Sequence, residues 1–144
     1  MQYELGFIGA GNMAEAIARA AIDRQILAAG QMIAFDPTPA RVKLFAEMGI
    51  ASAADNAQVI RQSRQVLIAV KPQVMQQAAT DLGQHMSQQQ VVISIMAGIT
   101  SERLCQAVGR PARVVRVMPN TPLMVGCGMA GIAVGAGAQR GDED

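Results

Sequence analysis

The chain has 144 residues, 12 basic against 11 acidic side chains, and a formal charge of +1. Such a balance supplies no long-range field for a polyanion or an anionic lipid surface, so neither nucleic acid nor membrane is an expected partner. With 51% hydrophobic and 16% charged residues the chain is too apolar to be disordered, and its length suits one packed domain. Only 3% of residues are aromatic and none is Trp, so Ala, Met, Val and Ile must fill the core. No basic segment precedes the first apolar run, so a signal peptide is not expected. The longest apolar stretch, MVGCGMAGIAVGAGA, is interrupted repeatedly by Gly and falls short of the roughly 18 apolar residues that a span requires. Cys105 and Cys127 form no CxxC, and a single His leaves no zinc set, so the reading is a cytoplasmic chain with two reduced, buried thiols and no metal.

In chain order, residues 5–8 form an apolar run ending at Gly9. Residues 12–29 are Ala-rich, with Met13, Ile17, Ala20, Ala21 and Leu27 on one side, which predicts a helix stopped by Gly30. A second strand is predicted at 32–35, closed by Asp36-Pro37. Pro39 suits the first turn of a helix running to Gly49. A brief strand at 50–52 precedes Asp55-Asn56, which caps a short helix through Ile60.

The run VLIAV at 66–70 is continuously apolar, as expected of a strand buried on both faces. Pro72 opens a helix with Met75, Ala78, Ala79, Leu82 and Met86 at spacings of three and four. Strands follow at 91–95 and 114–118, separated by a helix capped by Thr100 or Ser101, and a last strand is predicted at 129–134. Strands alternating with single helices give β-α-β units with right-handed crossovers. The expected fold is a doubly wound α/β domain, mostly parallel, with helices on both faces. Residues 1–134 make up that domain, and the Gly-rich, charged segment 135–144 reads as a linker or frayed tail.

The strongest local signal is Gly9-Ala10-Gly11-Asn12-Met13-Ala14, which matches G-x-G-x-x-G/A between a predicted strand and a predicted helix. Gly9 permits a tight turn, Gly11 lets main chain approach a diphosphate, and Ala14 lets the helix sit close on the sheet. The helix N-terminus offers amide donors to the phosphates. Asp36 ends the second strand at roughly the 20-residue distance expected of a ribose-binding carboxylate. Such a carboxylate accepts from both ribose hydroxyls and repels a 2′-phosphate, which favours NADH. Arg41 is near enough in sequence to counter it or to face solvent, and Asp36-Pro37 also reads as a plain turn, so the cofactor is NADPH or NADH.

Lys71-Pro72 follows the buried strand at the edge where ligands of open α/β sheets bind, so residues 69–72 are placed along the cofactor. Lys71 is equally a solvated lysine beside a helix-starting proline. The segment VVRVMPNTP ends in a loop stiffened by Pro119 and Pro122, with Asn120 and Thr121 as polar groups for a carboxamide or a small substrate, or simply as a rigid turn. His85 sits late on an amphipathic helix and reads as solvated. Neither cysteine has a nearby His or basic cluster in sequence to make it a nucleophile.

Together these pieces resemble pyrroline-5-carboxylate reductase. The matching segments are GFIGAGNMAEAI at 6–17, Asn56 ahead of its helix, AVKPQ at 69–73, SIMAGI at 94–99 and VRVMPNTP at 115–122. The resemblance covers essentially the whole chain, and the combination of GNMA, AVKP and MPNTP is specific. It implies that Ile8, Gly9, Ala10, Gly11, Asn12 and Met13 hold the diphosphate. Asp36 would meet the adenosine ribose or its 2′-phosphate, where many relatives carry a neutral residue with Arg or Ser. Asn56 would be a further cofactor contact. Ala69, Val70, Lys71 and Pro72, with Ile95, Met96 and Ala97, would run along the nicotinamide half, and Asn120 and Thr121 would lie nearest the hydride-transfer site.

The implied activity is hydride transfer from NAD(P)H to the C=N bond of 1-pyrroline-5-carboxylate, giving L-proline. Family members carry a further helical domain that joins two subunits and completes the substrate pocket. None is recognisable here, so the chain is expected to be the cofactor-binding part, with a homo-oligomer expected of a full-length enzyme. The alternatives are a non-catalytic NAD(P)-binding regulatory module, a β-hydroxyacid-dehydrogenase-like oxidoreductase, or a domain with no ligand. An exposed apolar surface is expected near residues 123–134.

Overall fold

A computed structural model describes residues 2–135 and 137–143. Its elements in chain order are β1 (Tyr3–Ile8), α1 (Asn12–Asp23), β2 (Met32–Phe35), α2 (Pro39–Glu47), β3 (Ala51–Ser52), α3 (Asn56–Gln62), β4 (Ser63–Ile68), α4 (Met75–His85), β5 (Val91–Ser94), α5 (Ser101–Val108), β6 (Arg113–Pro119) and β7 (Ala130–Val134). Short 3-10 turns occupy Ala29–Gln31, Pro72–Val74 and Thr121–Val125.

The strands form one sheet in the order β3-β2-β1-β4-β5-β6-β7. Every pairing from β3 to β6 is parallel, and β6 with β7 is antiparallel. The chain winds outward from β1 through β2 to β3, then returns to β4 and winds the other way. The switch point therefore falls between β1 and β4, where a doubly wound sheet opens a crevice at its carboxyl edge. The antiparallel β7 departs from the β-α-β pattern for a simple reason. Only residues 120–129, which include the 3-10 turn Thr121–Val125, separate it from β6, less than the dozen or so residues a parallel crossover takes.

Helices cover both faces. Ala14, Ala18 and Phe45 of α1 and α2 pack on one, with Phe45 edge-on to Phe7 of β1 at 5.5 Å between ring centres. Val59, Ile60, Ala78, Ala79, Leu82, Leu104 and Val108 of α3, α4 and α5 pack on the other. Small residues let neighbouring helices of that face approach closely: a Cβ on Gly83 of α4 would lie 2.4 Å from the Val108 carbonyl oxygen of α5. Asp55 caps α3 by accepting from the Gln58 amide, and Thr100 caps α5 by accepting from the Arg103 amide.

Most element limits differ from the sequence-based expectation by one to three residues, Pro72 opens a 3-10 turn before α4, and two differences bear on the site. Helix α1 ends at Asp23, not at Ala29, and Gly30 lies within a 3-10 turn. The 12 residues of α1 span about 18 Å, matching the ~20 Å of the six-residue β1, so a longer helix would overshoot the start of β2. Gln25 accordingly turns the chain at φ 57°. Strand β4 starts at Ser63 and ends at Ile68, so Ala69 and Val70 lie just beyond the strand. Within the segment 135–144, Asp142 meets the start of β6: the Arg113 guanidinium donates to both of its carboxylate oxygens. Ala136 and Asp144, within the segment expected to be a linker, lie outside the described residues.

Candidate dinucleotide site

The turn after β1 begins at Gly9, whose φ of +92° is natural to glycine. A Cβ there would lie 3.0 Å from the Ala69 carbonyl carbon and oxygen and from Val70. Gly11 differs. It is the extended N-cap of α1, and a Cβ would meet nothing within 4 Å. No side chain caps this helix end. The first amides of α1, those of Asn12 and Met13, are therefore left without a side-chain acceptor beside the open space at Gly11, with the positive end of the helix dipole behind them. Ala14 is fully buried against the sheet.

Strand ends line up across the switch point. The Gly9 amide donates to Phe35 O at 2.9 Å, the Ala69 amide to Ile8 O at 2.9 Å, and the Ile95 amide to Ile68 O at 3.2 Å. Ile8, Gly9, Ala69 and Ile95 thus form one row at the carboxyl edge. Beside it, Gly9, Phe35, Pro37, Asn56, Val70 and Val74 line a mostly apolar cleft of about 270 Å³ that continues along α4. Asn56 is held there by donating to Asp81 of α4 at 2.7 Å.

Asp36 reaches back to the turn. One carboxylate oxygen accepts from the Ala10 amide and the other from the Thr38 amide, each at 2.8 Å. Arg41 of α2 does not face solvent. Its Nε donates to the Ala10 carbonyl, and its Nη2 lies 3.0 Å from Glu15, which also pairs with Arg19 at 2.9 Å. Burial pushes the Glu15 carboxyl up, but the two arginines outweigh it and hold the group below the usual carboxylate range. Glu15 was not singled out in the sequence. Its only visible signal is the four-residue spacing to Arg19.

Lys71 and Pro72 are exposed where the Pro72–Val74 turn begins. Met96 is buried, Ala97 is exposed, and Gly98 turns the chain at φ +72°. Asn120 closes its loop: its side-chain oxygen accepts from the Met129 amide at 2.8 Å, and its own amide donates to Met129 O. Thr121 starts the following 3-10 turn, whose Met124 sits beside Asn12 and Ala16 of α1. The Asn120–Thr121 loop thus shares the carboxyl edge but is not part of the cleft between β1 and β4. Arg116, also on β6, has a buried Nε with no hydrogen-bond partner.

A larger hollow, about 630 Å³, is lined by Glu4, Arg64, Gln89 and Arg113 at the opposite, amino edge of the strands. That edge has neither the glycine turn nor a helix N-terminus, so it lacks the donors the carboxyl edge offers. The expected burial of both thiols does not hold: Cys127 is exposed in the segment after the Thr121–Val125 turn, and Cys105 is half-buried, where burial pushes its thiol up, away from nucleophilic activation. Among the described residues no group of three or more His, Cys, Asp and Glu is placed to hold a metal, and no helix is long and apolar enough to cross a membrane.

An uncapped helix N-terminus, a glycine opening onto free space and an adjoining apolar cleft fit a dinucleotide: the amides suit a diphosphate and the cleft suits a base. The fold and site together define an NAD(P)-binding domain of the doubly wound Rossmann class. Comparison with known proteins narrows this. The chain is 41% identical over 133 residues to pyrroline-5-carboxylate reductase of Haemophilus influenzae, covering 92% of this chain and 49% of that protein. It is 33% identical over 137 residues to the Escherichia coli enzyme, covering 94% and 51%. A solved pyrroline-5-carboxylate reductase from Coxiella burnetii superposes with a TM-score of 0.87 at 26% identity, over 97% of this chain and 52% of the other. The chain belongs to the family described as NADP oxidoreductase, coenzyme F420-dependent, whose model matches residues 4–98. It corresponds to the N-terminal, NAD(P)-binding domain of pyrroline-5-carboxylate reductases and spans about half the length of those curated relatives.

Proposed function

We propose that this domain binds and orients NAD(P)H for reduction of 1-pyrroline-5-carboxylate to L-proline, as the cofactor-binding part of a longer, homo-oligomeric reductase. Residues 1–134 would form the binding unit. The observation that carries this reading is the single row of Gly9, Ala69 and Ile95 beneath an uncapped α1. It is supported by the likeness to reductases whose names state that activity.

In this reading the amides of Asn12 and Met13 receive the diphosphate, with Ile8, Gly9, Ala10 and Gly11 shaping the turn. The Asp36 carboxylate accepts from the adenosine ribose, and the cleft beside Asn56 takes the adenine. Ala69, Val70, Lys71 and Pro72 guide the chain of the cofactor toward Ile95, Met96 and Ala97, which back the nicotinamide. When bound, the reduced nicotinamide supplies a hydride to the C=N carbon. Asn120 keeps the loop rigid through Met129, and its side-chain amide and the Thr121 hydroxyl are the polar groups offered toward the reacting end. Proximity and orientation carry much of the acceleration, since a protonated imine is already electrophilic.

Because the chain spans half of its relatives, a binding module without turnover of its own is the second reading. Calorimetric titration with NADH and NADPH, followed by a reductase assay on 1-pyrroline-5-carboxylate beside a full-length relative, tests both. Binding with turnover far below the relative's supports the cofactor-binding role. Absence of binding by either dinucleotide at millimolar concentration rejects it, and comparable turnover rejects the need for a further domain.

A further inference from the structure

Taking the site as a dinucleotide site, as proposed above, we infer that Asp36 and Arg41 make it select a cofactor with a free ribose 2′-hydroxyl, NADH over NADPH. Both oxygens of Asp36 are engaged by main-chain amides, Ala10 and Thr38, each at 2.8 Å. The carboxylate is therefore fixed at the end of β2 and cannot swing aside. A carboxylate has about four acceptor positions, so two remain for ribose hydroxyls. A 2′-phosphate would instead meet a fixed negative charge.

The neighbouring cation does not offset this. Arg41 is committed to the Ala10 carbonyl and to Glu15, and Glu15 also holds Arg19. Asp36 and Glu15 balance Arg19 and Arg41, leaving no surplus positive charge for a phosphate. Turning the Arg41 Nε to a 2′-phosphate would also strip the partner from the Ala10 carbonyl and loosen the turn that receives the diphosphate. Asp36 holds the Ala10 amide and Arg41 its carbonyl, so a single peptide unit ties cofactor choice to turn geometry.

The experiment is calorimetric titration of the chain with NADH and with NADPH, with no catalytic readout. NADH is expected to bind at least about tenfold more tightly, the order expected of one like-charge contact near a surface. Asp36→Ser is expected to raise NADPH affinity about tenfold. Asp36→Asn, which keeps the shape and an acceptor for Ala10, serves should the serine variant not fold, and is expected to narrow the preference likewise. Arg41→Met is expected to weaken both dinucleotides alike. Equal or tighter NADPH binding by the parent, or a selective loss of NADPH in Arg41→Met, overturns the discrimination and leaves the dinucleotide reading standing. If neither dinucleotide binds, that reading falls and the discrimination falls with it.

Discussion

Gly9 and Gly11 stand two residues apart in the same turn and have opposite surroundings. Gly9 is pressed to 3.0 Å from the Ala69 main chain at φ +92°, whereas Gly11 faces open space with an ordinary backbone. The first glycine serves the fold, and the second, in the function proposed above, serves the ligand. Gly9→Val is expected to cost about 2–4 kcal/mol of stability through strain and overpacking. Gly11→Val is expected to fold with a near-parental melting temperature while losing about a hundredfold or more in dinucleotide affinity, because its side chain fills the diphosphate space. Thermal unfolding and calorimetry on both variants check this; parental affinity in Gly11→Val contradicts the site.

Gln90 is buried beneath the start of β4. Its amide donates to the carbonyls of Ile60 and Ser63, the latter at 2.7 Å, and its oxygen accepts from the Ser87 amide at 2.6 Å. Gln90→Leu keeps much of the volume but strands three buried main-chain groups. The expected loss is about 2–4 kcal/mol, read as a lower urea midpoint.

Gly83 marks the closest approach of α4 to the end of α5, 2.4 Å from a hypothetical Cβ to the Val108 oxygen. Gly83→Ala gains helix propensity, yet it must push a main-chain carbonyl aside. The expected net effect is destabilisation of about 1–3 kcal/mol. An alanine variant at least as stable as the parent in denaturant unfolding means the helices separate at no cost.

Hydrogen bonding to Arg113 holds the Asp142 carboxyl below the ordinary aspartate range and raises the Arg113 guanidinium. A depressed carboxylate stabilises the folded state above its unfolded value, near about 3.9, and loses that contribution as pH falls through the depressed value. The tail should therefore stay docked at neutral pH and release in acid. Amide hydrogen exchange at residues 137–143 should rise below pH ~4 in the parent, and Asp142→Asn should show the faster exchange already at pH ~7. Equal protection of parent and variant across that range contradicts the latch.

Where the controlling groups are close in sequence, the residues were readable in advance. The Asp55 cap, a cap at Thr100 or Ser101 and the turn from Gly9 to Ala14 each depend on contacts a few positions apart. The carboxyl-terminal limit of α1 was not readable, since neither Gly nor Pro stops it at Asp23; the length of the neighbouring strands does. The Ala10 bracket joins residues 26 and 31 positions apart, and the Arg113–Asp142 pair joins residues 29 apart. Arg41 was legible as a nearby cation, but its engagement with Ala10 and Glu15 was not.

By itself, the order of residues determined the doubly wound class, the glycine turn and the acidic end of the second strand, because propensity, periodicity and backbone freedom act locally. Only the tertiary structure decided which glycine is packed and which is open, that Asp36 is locked from both sides, and that Arg41 is already committed. Those are distances between segments brought together by burial of the sheet faces, and no local pattern encodes them.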